Sequence, residues 1–424
     1  MVSLGNRATT FAVIVAALGY FVDVYDLILF GMVRTASLRD LGISGTALTE
    51  QGVRLLNWQM FGMLTGGILW GVWGDRRGRL SVLFGSITLY SLANIANGMV
   101  DSVESYKWCR LAAGIGLAGE LGAGITLVSE LMDRKTRGIG TTIVAAFGLS
   151  GGVAAGLVGG AFHQLAPDEW RTAYYIGGGM GLALLVLRVG VIESGMFRNV
   201  AANKALSRGN FFLLFTDGRR LGRYLAVIAV GVPVWYVMGI LFTFAPEIGK
   251  ALGLSETPKA ATALFFAYAG GTVGDVASGL LSHRIRSRRA AIAIFLTLTA
   301  VAIVGYFTLG GTSLTVFYAL AALCGIGVGY WAVFVSAAAE LFGTNLRATV
   351  ATTVPNFVRG SLVLLTILFK ELWGPLGLVG SAIAVGVFSL GVAFAGLATL
   401  RETFGIDLDF HEEHPRKGGA TSAE

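Results

Sequence analysis

The sequence has 424 residues, is 54% hydrophobic and only 13% charged, and has a mean hydropathy of +0.71. A soluble domain of this length does not need so much apolar sequence, and 61 glycines beside seven prolines suit transmembrane helices packed through small faces. The net charge of +7 is clustered in short loops between apolar segments, which is a topology signal rather than a nucleic-acid footprint.

Cys109 and Cys324 fall in or beside apolar runs and form neither a disulfide framework nor a zinc spacing. Met1 to Thr10 lack a small-residue cleavage site, so the first apolar run is expected to stay as a helix. About twelve spans of bilayer length are predicted, over 10–33, 55–74, 80–100, 107–131, 138–163, 171–192, 222–246, 260–282, 290–310, 313–341, 347–371 and 376–400. The loops alternate in basic content. Arg76, Arg77 and Arg79, then Arg134, Lys135 and Arg137, then Arg198 to Arg223, and then Arg284 to Arg289 mark the basic set. That set is expected to be cytoplasmic, with both termini inside.

The expected fold class is therefore an all-α membrane protein of twelve helices in two pseudo-symmetric six-helix bundles. The expected domains are an N-terminal bundle over 1–192, a basic cytoplasmic linker over 193–221, a C-terminal bundle over 222–400, and a mostly disordered tail over 401–424.

The first span carries Asp23 and Asp26 near its middle. An ionised carboxylate there costs about 3 kcal/mol or more. Their spacing predicts that both point to one helix face, with Tyr25 beside them. Such a face is expected to line a polar cavity that binds solute. Two carboxylates this close repel, so one is expected to hold a proton reversibly. The competing expectation is that one Asp caps a broken helix or pairs with a buried Arg.

Arg110 opens the fourth span, either as a structural partner for an acid or in solute or proton coupling. In the seventh span Trp235 and Tyr236 are placed to pack a solute's apolar part, or to serve ordinary helix packing. In the eleventh, Arg359 lies mid-span between Pro355 and Gly360, with Asn356 nearby. A mid-membrane Arg suits bidentate recognition of a carboxylate or phosphate. It can equally be the counter-ion of Asp23 or Asp26. Asn94 and Asn97 are weaker cavity candidates, and Asp275 is expected to pair with Arg284 or Arg286.

Two motifs repeat. Glu130 and Arg137 close the fourth span as Glu-x6-Arg, and Glu340 and Arg347 close the tenth, 210 residues later. Gly71-x-x-Gly-Asp75-Arg76-x-Gly-Arg79 follows the second span, and a basic copy with His283 at the Asp75 position follows the eighth. Parallel repeats of six spans imply a solute site between halves and a rocking-bundle motion.

At these motifs the chain resembles the major facilitator superfamily over about residues 10–400, and Glu193-Ser-Gly-Met-Phe is similar to its branch of sugar and metabolite porters. The resemblance implies that Gly71, Asp75, Arg76, Arg79, Glu130, Arg137, Glu340 and Arg347 latch an inner gate. The Asp-x-Tyr-Asp of the first span resembles proton symporters for metabolites, aromatic acids and small carboxylates, and the phosphate symporters share it. The run from Arg110 to Glu120 resembles the same group. In that fold spans one and four are neighbours. The resemblance therefore adds Glu120 to Asp23 and Asp26 as a proton-binding cluster, unless a fixed Arg neutralises it.

No Walker motif or enzyme site is found, so the expected function is not enzymatic. It is proton-coupled uptake of a small organic anion across the cytoplasmic (inner) membrane, with no cofactor beyond the proton gradient. Expected partners are an anionic small-molecule solute, protons and the lipid bilayer, with no nucleic acid and the protein a monomer. Alternatives are proton-driven export of a drug-like molecule or siderophore, metal-ion transport, and a non-transporting receptor or lipid translocase. Arg359 argues against a metal site, since it repels a cation.

Overall fold

The computed structural model describes residues 7–77, 79–120, 137–163, 166, 168–193 and 211–406. The helices are α1 (Arg7–Asp40), α2 (Thr46–Arg77), α3 (Arg79–Asn97), α4 (Val103–Leu117), α5 (Arg137–Val158) and α6 (Glu169–Glu193). After them come α7 (Gly218–Tyr236), α8 (Ala260–Ile285), α9 (Arg288–Leu309), α10 (Leu314–Val328), α11 (Thr344–Glu371) and α12 (Trp373–Thr399). Among the described residues no strand occurs, and seven helical stretches are long and apolar enough to cross a membrane. Large apolar side chains such as Leu92, Val186, Leu280, Val301 and Leu364 face outward. This is the surface that lipid, not water, solvates.

Several helices start where a short polar side chain satisfies an orphan N–H. Ser102 accepts from the Ser105 N–H at 3.2 Å, Ser287 from Ala290 at 3.0 Å and Ser313 from Val316 at 3.2 Å. Two predicted spans are broken. The seventh contains Pro233, turns π-helical over Val237–Phe242 and resumes as a short helix, Ala245–Ala251. The tenth breaks at Gly329 and Tyr330 and resumes over Trp331–Glu340. Asp275 of α8 accepts the Ala332 N–H at 2.7 Å and so caps the resumed helix. The expected pairing of Asp275 with Arg284 or Arg286 is corrected by this bond. Ten residues of helix, about 15 Å, separate a buried Asp275 from the exposed basic end of α8.

The packing repeats with an offset of six helices. Pairs α1–α5, α2–α4, α3–α4, α1–α6 and α3–α6 in the first half correspond to α7–α11, α8–α10, α9–α10, α7–α12 and α9–α12 in the second. Pairs α2–α11 and α5–α8 join the halves. The two predicted six-helix bundles are present, and the groove between them runs along α1, α7, α8 and α11.

At the end of the molecule where α8 meets α9, the chain after α12 folds back. Glu402 accepts from the Ser287 hydroxyl, from the Arg288 N–H at 2.8 Å and from the Phe404 N–H at 2.9 Å. Partial burial works against its charge, yet the Ser287 hydroxyl and these N–H groups hold its carboxyl below the usual carboxylate range. A lowered folded-state value means the stability Glu402 adds is full above the unfolded value, about 4.3, and is lost as pH falls through the folded one. Glu402→Gln is therefore expected to lower the melting temperature in detergent at pH 7. The gap to wild type should close as the pH falls below about 4; a gap that stays constant with pH refutes this account.

Candidate functional site

Asp23 of α1 and Arg359 of α11 meet between the bundles, with Nη2 of Arg359 donating to Oδ2 of Asp23 at 3.3 Å. Both residues are buried, at 0% and 1% exposure. Among the described residues, Nε and Nη1 of Arg359 and Oδ1 of Asp23 have no hydrogen-bond partner. α11 stays helical through Pro355, which aims Arg359 across the groove.

Arg359 forms part of the wall of a small cavity of about 40 Å³. Tyr20, Trp235, Tyr268 and Trp331 supply aromatic surface, and Val24, Leu27 and Met238 supply aliphatic surface. Arg359 is the one charged residue in this lining. The site offers a desolvated cation and flat apolar walls, the combination that orients a small anion with an apolar body. Of the residues singled out in the sequence, Trp235 and Arg359 line this cavity. Tyr20, Tyr268 and Trp331 escaped sequence reasoning. Tyr20 had a signal, since residues 20, 23, 24 and 27 form one helical stripe.

Asp26 does not share the environment of Asp23. A three-residue step leaves about 60° between side chains on an α-helix, and here that angle separates two sites. Asp23 faces the second bundle, and Asp26 turns into the first, against α6. A Cβ on Gly177 would overlap Oδ1 of Asp26, so glycine is needed to seat the carboxylate. Neither Asp26 oxygen has a hydrogen-bond partner among the described residues. Arg110 is in electrostatic reach. That guanidinium is held by amide oxygens of Asn97 at 3.2 Å, Gln59 at 3.2 Å and Asn94 at 3.1 Å, and lies over the Tyr174 ring. Asn94 and Asn97 thus position Arg110 and do not line the central cavity. The Tyr25 hydroxyl donates to the Ala173 carbonyl at 3.0 Å, on the same stretch of α6.

Glu120 has a fixed cation. Arg188 of α6 donates to both its oxygens, one at 3.0 Å, and Gly19 of α1 leaves room for the pair. The expectation that Glu120 is available beside Asp23 is therefore qualified: it is in electrostatic reach of Asp23 but fully engaged. Arg188 was legible as a lone charge in an apolar span.

The remaining candidates are placed elsewhere. Tyr236 donates to the Ala382 carbonyl at 2.7 Å inside the second bundle. Asn356 donates to the Ala118 carbonyl at 2.8 Å, joining α11 to the first bundle outside the cavity. Glu340 pairs with Arg288 at 3.3 Å and accepts from Thr403 at 2.7 Å. Arg347 donates to the Ala339 carbonyl at 3.3 Å. Gly71 has open space around it. Glu130 lies outside the described residues, as do the side chains of Asp75, Arg76, Arg79 and Arg137.

Polar bonds between the bundles gather at the end bearing the α1–α2 connection. Arg34 of α1 donates to both oxygens of Glu247 at 2.7 and 2.9 Å and stacks over Phe244. Thr49 donates to the same carboxylate at 3.2 Å, and Thr366 donates to Asn57 at 2.6 Å. This end of the groove is latched shut.

The family model described as Major Facilitator Superfamily matches residues 11–361. The chain belongs to the major facilitator superfamily. It is 27% identical over 412 residues to a probable 4-methylmuconolactone transporter of Cupriavidus pinatubonensis, covering 92% of this chain and 90% of that one. It is 25% identical over 357 residues to the gentisate transporter of Corynebacterium glutamicum, covering 77% and 73%. A solved structure of the proton:xylose symporter XylE, bound to 6-bromo-6-deoxy-D-glucose, superposes with a TM-score of 0.70 at 17% identity, covering 95% of this chain and 98% of that one. The twelve-helix major facilitator fold is thereby established, and the protein is a membrane transporter rather than an enzyme.

Two tests follow from these ion pairs. Arg188→Leu strands a buried Glu120 and is expected to cost about 3–5 kcal/mol, read as thermal stability in detergent, while Glu120→Leu with Arg188→Leu recovers most of it. Equal losses in the single and double variants rule out a pair whose charges serve each other. Glu247→Gln unlatches the α1–α2 end. In a cysteine-free background, Tyr268→Cys is expected to react faster with an impermeant thiol reagent from that side, and an unchanged rate removes the latch.

Proposed function

We propose that this transporter couples the uptake of a small ring-bearing organic anion to protons moving down their gradient. The observation that carries the reading is Arg359, a buried guanidinium with two donors unpartnered among the described residues, on the wall of an aromatic cavity and facing a carboxylate it can release. A substrate carboxylate replaces Asp23 on Arg359, and Asp23 takes a proton as it is displaced. Trp235, Tyr268 and Trp331 pack the apolar body. Relatives named for 4-methylmuconolactone and gentisate support a ring-bearing substrate. Asp26 beside Arg110 is the second proton site. Glu120 is held by Arg188 and contributes field only.

The proton gradient is the sole energy source in this reading, with no cofactor. In this reading both termini lie in the cytoplasm, the side that the basic loops favour, and the protein works as a monomer of the inner membrane. The α1–α2 end then faces outward. Asp75, Arg76, Arg79, Glu130, Arg137, Glu340 and Arg347 belong to the opposite, cytoplasmic gate.

Uptake into proteoliposomes, with and without an inward proton gradient, tests this. Labelled gentisate, benzoate, succinate, phosphate and a zwitterion form the panel. Gradient-dependent accumulation of a ring carboxylate is expected. Arg359→Ala removes a charged hydrogen bond, so affinity should fall by about 10- to 100-fold. Asp23→Asn with Arg359→Ala is the control without a stranded carboxylate. Asp26→Asn is expected to lower accumulation without abolishing it, since Asp23 still couples a proton. Accumulation indifferent to Arg359, or transport of cations only, overturns the reading.

A further inference from the structure

A second concave site lies far from the central cavity, at the α1–α2 end. Glu50, Gln51, Val53, Arg54, Asn57 and Trp58 of α2 line it on one side, and Thr366, Ile367 and Lys370 of α11 on the other. It therefore straddles the two bundles, and the Asn57–Thr366 hydrogen bond of 2.6 Å lies at its boundary.

Its chemistry changes with depth. α2 runs away from this end and α11 runs toward it, so Arg54 and Lys370 sit at the mouth, while Phe61 and Leu364 sit deeper. The mouth carries two cations and one carboxylate, with Glu50, Arg54 and Lys370 all exposed. Gln51 adds a buried Oε1 with no hydrogen-bond partner among the described residues. Arg54 also meets Glu104 at 3.4 Å, an exposed pair of little worth that leaves it available. Below the mouth Phe61, Leu364 and Ile367 are 50%, 70% and 49% exposed on the lipid-facing surface. Beside it Trp58 and Trp108 pack at 5.2 Å, with the Lys107 ammonium over both rings. Tryptophan with lysine marks the headgroup depth of a bilayer.

We infer that this groove is a binding site for a phospholipid with a primary-amine headgroup, seated across the two bundles. Arg54 and Lys370 take the phosphodiester. Glu50 and the Gln51 carbonyl take the ammonium, whose N–H donors a quaternary amine lacks. The acyl chains run down over Phe61, Leu364 and Ile367. A headgroup with phosphate alone leaves Glu50 facing like charge, which is why the zwitterion fits better. The geometry does not depend on the transport reading; the proposed orientation decides only that the leaflet is the outer one. Because the lipid touches α2 and α11 together, it reinforces closure of the end that Arg34 and Glu247 latch.

Native mass spectrometry of the detergent-purified full chain, titrated with phosphatidylethanolamine or phosphatidylcholine of matched chains, tests the site. Wild type is expected to retain one phosphatidylethanolamine more tightly than phosphatidylcholine. Arg54→Ala with Lys370→Ala should weaken that adduct by about 30-fold, given what two basic side chains add near a phosphate surface. Glu50→Gln should narrow the preference for the amine while leaving phosphatidylcholine binding as it was. All three side chains are exposed, and equal melting temperatures confirm that the variants fold. Adducts equal in wild type and variants overturn the site. Full competition by glycerophosphoethanolamine, which has the headgroup without chains, overturns the lipid and leaves a phosphate-ester site. Since transport is not read, failure here leaves the uptake proposal standing.

Discussion

The ion pair between Asp23 and Arg359 is the constraint around which the molecule is arranged. A charge in the membrane interior has to be matched, and removing one member of a buried pair costs about 3–5 kcal/mol. Replacing both members by apolar residues is often neutral or better, so stability alone does not explain the pair. Contrast it with Glu120 and Arg188, which sit in one bundle and are joined through both carboxylate oxygens. Asp23 and Arg359 sit in different bundles, touch once at 3.3 Å, and leave polar atoms on both sides unpartnered among the described residues. The first pair is a fixed strut. The second has the geometry of a contact that can be exchanged.

Helix α1 is what makes both pairs possible. It packs against α5 and α6 in its own bundle and reaches α8, α11 and the short Ala245–Ala251 helix in the other. Gly19 lets the strut lie against it, and Gly177 of α6 lets the Asp26 carboxylate be seated. In lipid, where apolar burial does not drive helix association, such close approaches supply the dispersion and polar contacts that do. The same small residues that hydropathy reads only as membrane composition are here the seats of charged groups.

How much of this was legible depends on range. Span positions, the two bundles and the inconsistency of Asp23, Asp26 and Arg359 with their apolar surroundings follow from local sequence, because a bilayer imposes length and penalises charge wherever it occurs. Pairing was not legible. Arg34 and Glu247 are 213 residues apart, and Asp23 and Arg359 are 336 apart, and nothing local selects one acid for one base. Arg188 shows the nearer failure: its charge in an apolar span was visible, and it demanded an acid. Asn94, Asn97 and Gln59 show another. Amides on a helix face look like cavity polarity, but three of them together make the cage a buried guanidinium requires. The breaks after Tyr236 and Val328 were also hidden, because hydropathy does not distinguish an α-turn from a π-turn of the same residues.

The proposed exchange has a thermodynamic consequence that sets its coupling. If Asp23 is protonated and leaves Arg359 with no anion in its place, a buried guanidinium is stranded, at a cost of several kcal/mol. If an anion arrives while Asp23 is still ionised, two negative charges compete for one cation, which is also disfavoured. Only the empty, deprotonated state and the anion-bound, protonated state keep the groove neutral around Arg359. Those are the two states in which the bundles can rock without moving a net uncompensated charge through a low-dielectric interior. Tight coupling then needs no separate switch, because the single cation between the bundles penalises both half-loaded states. The Arg34–Glu247 latch lies on the same helix about 16 Å away. It acts on the other condition of alternating access, that one end be shut while the central pair is remade.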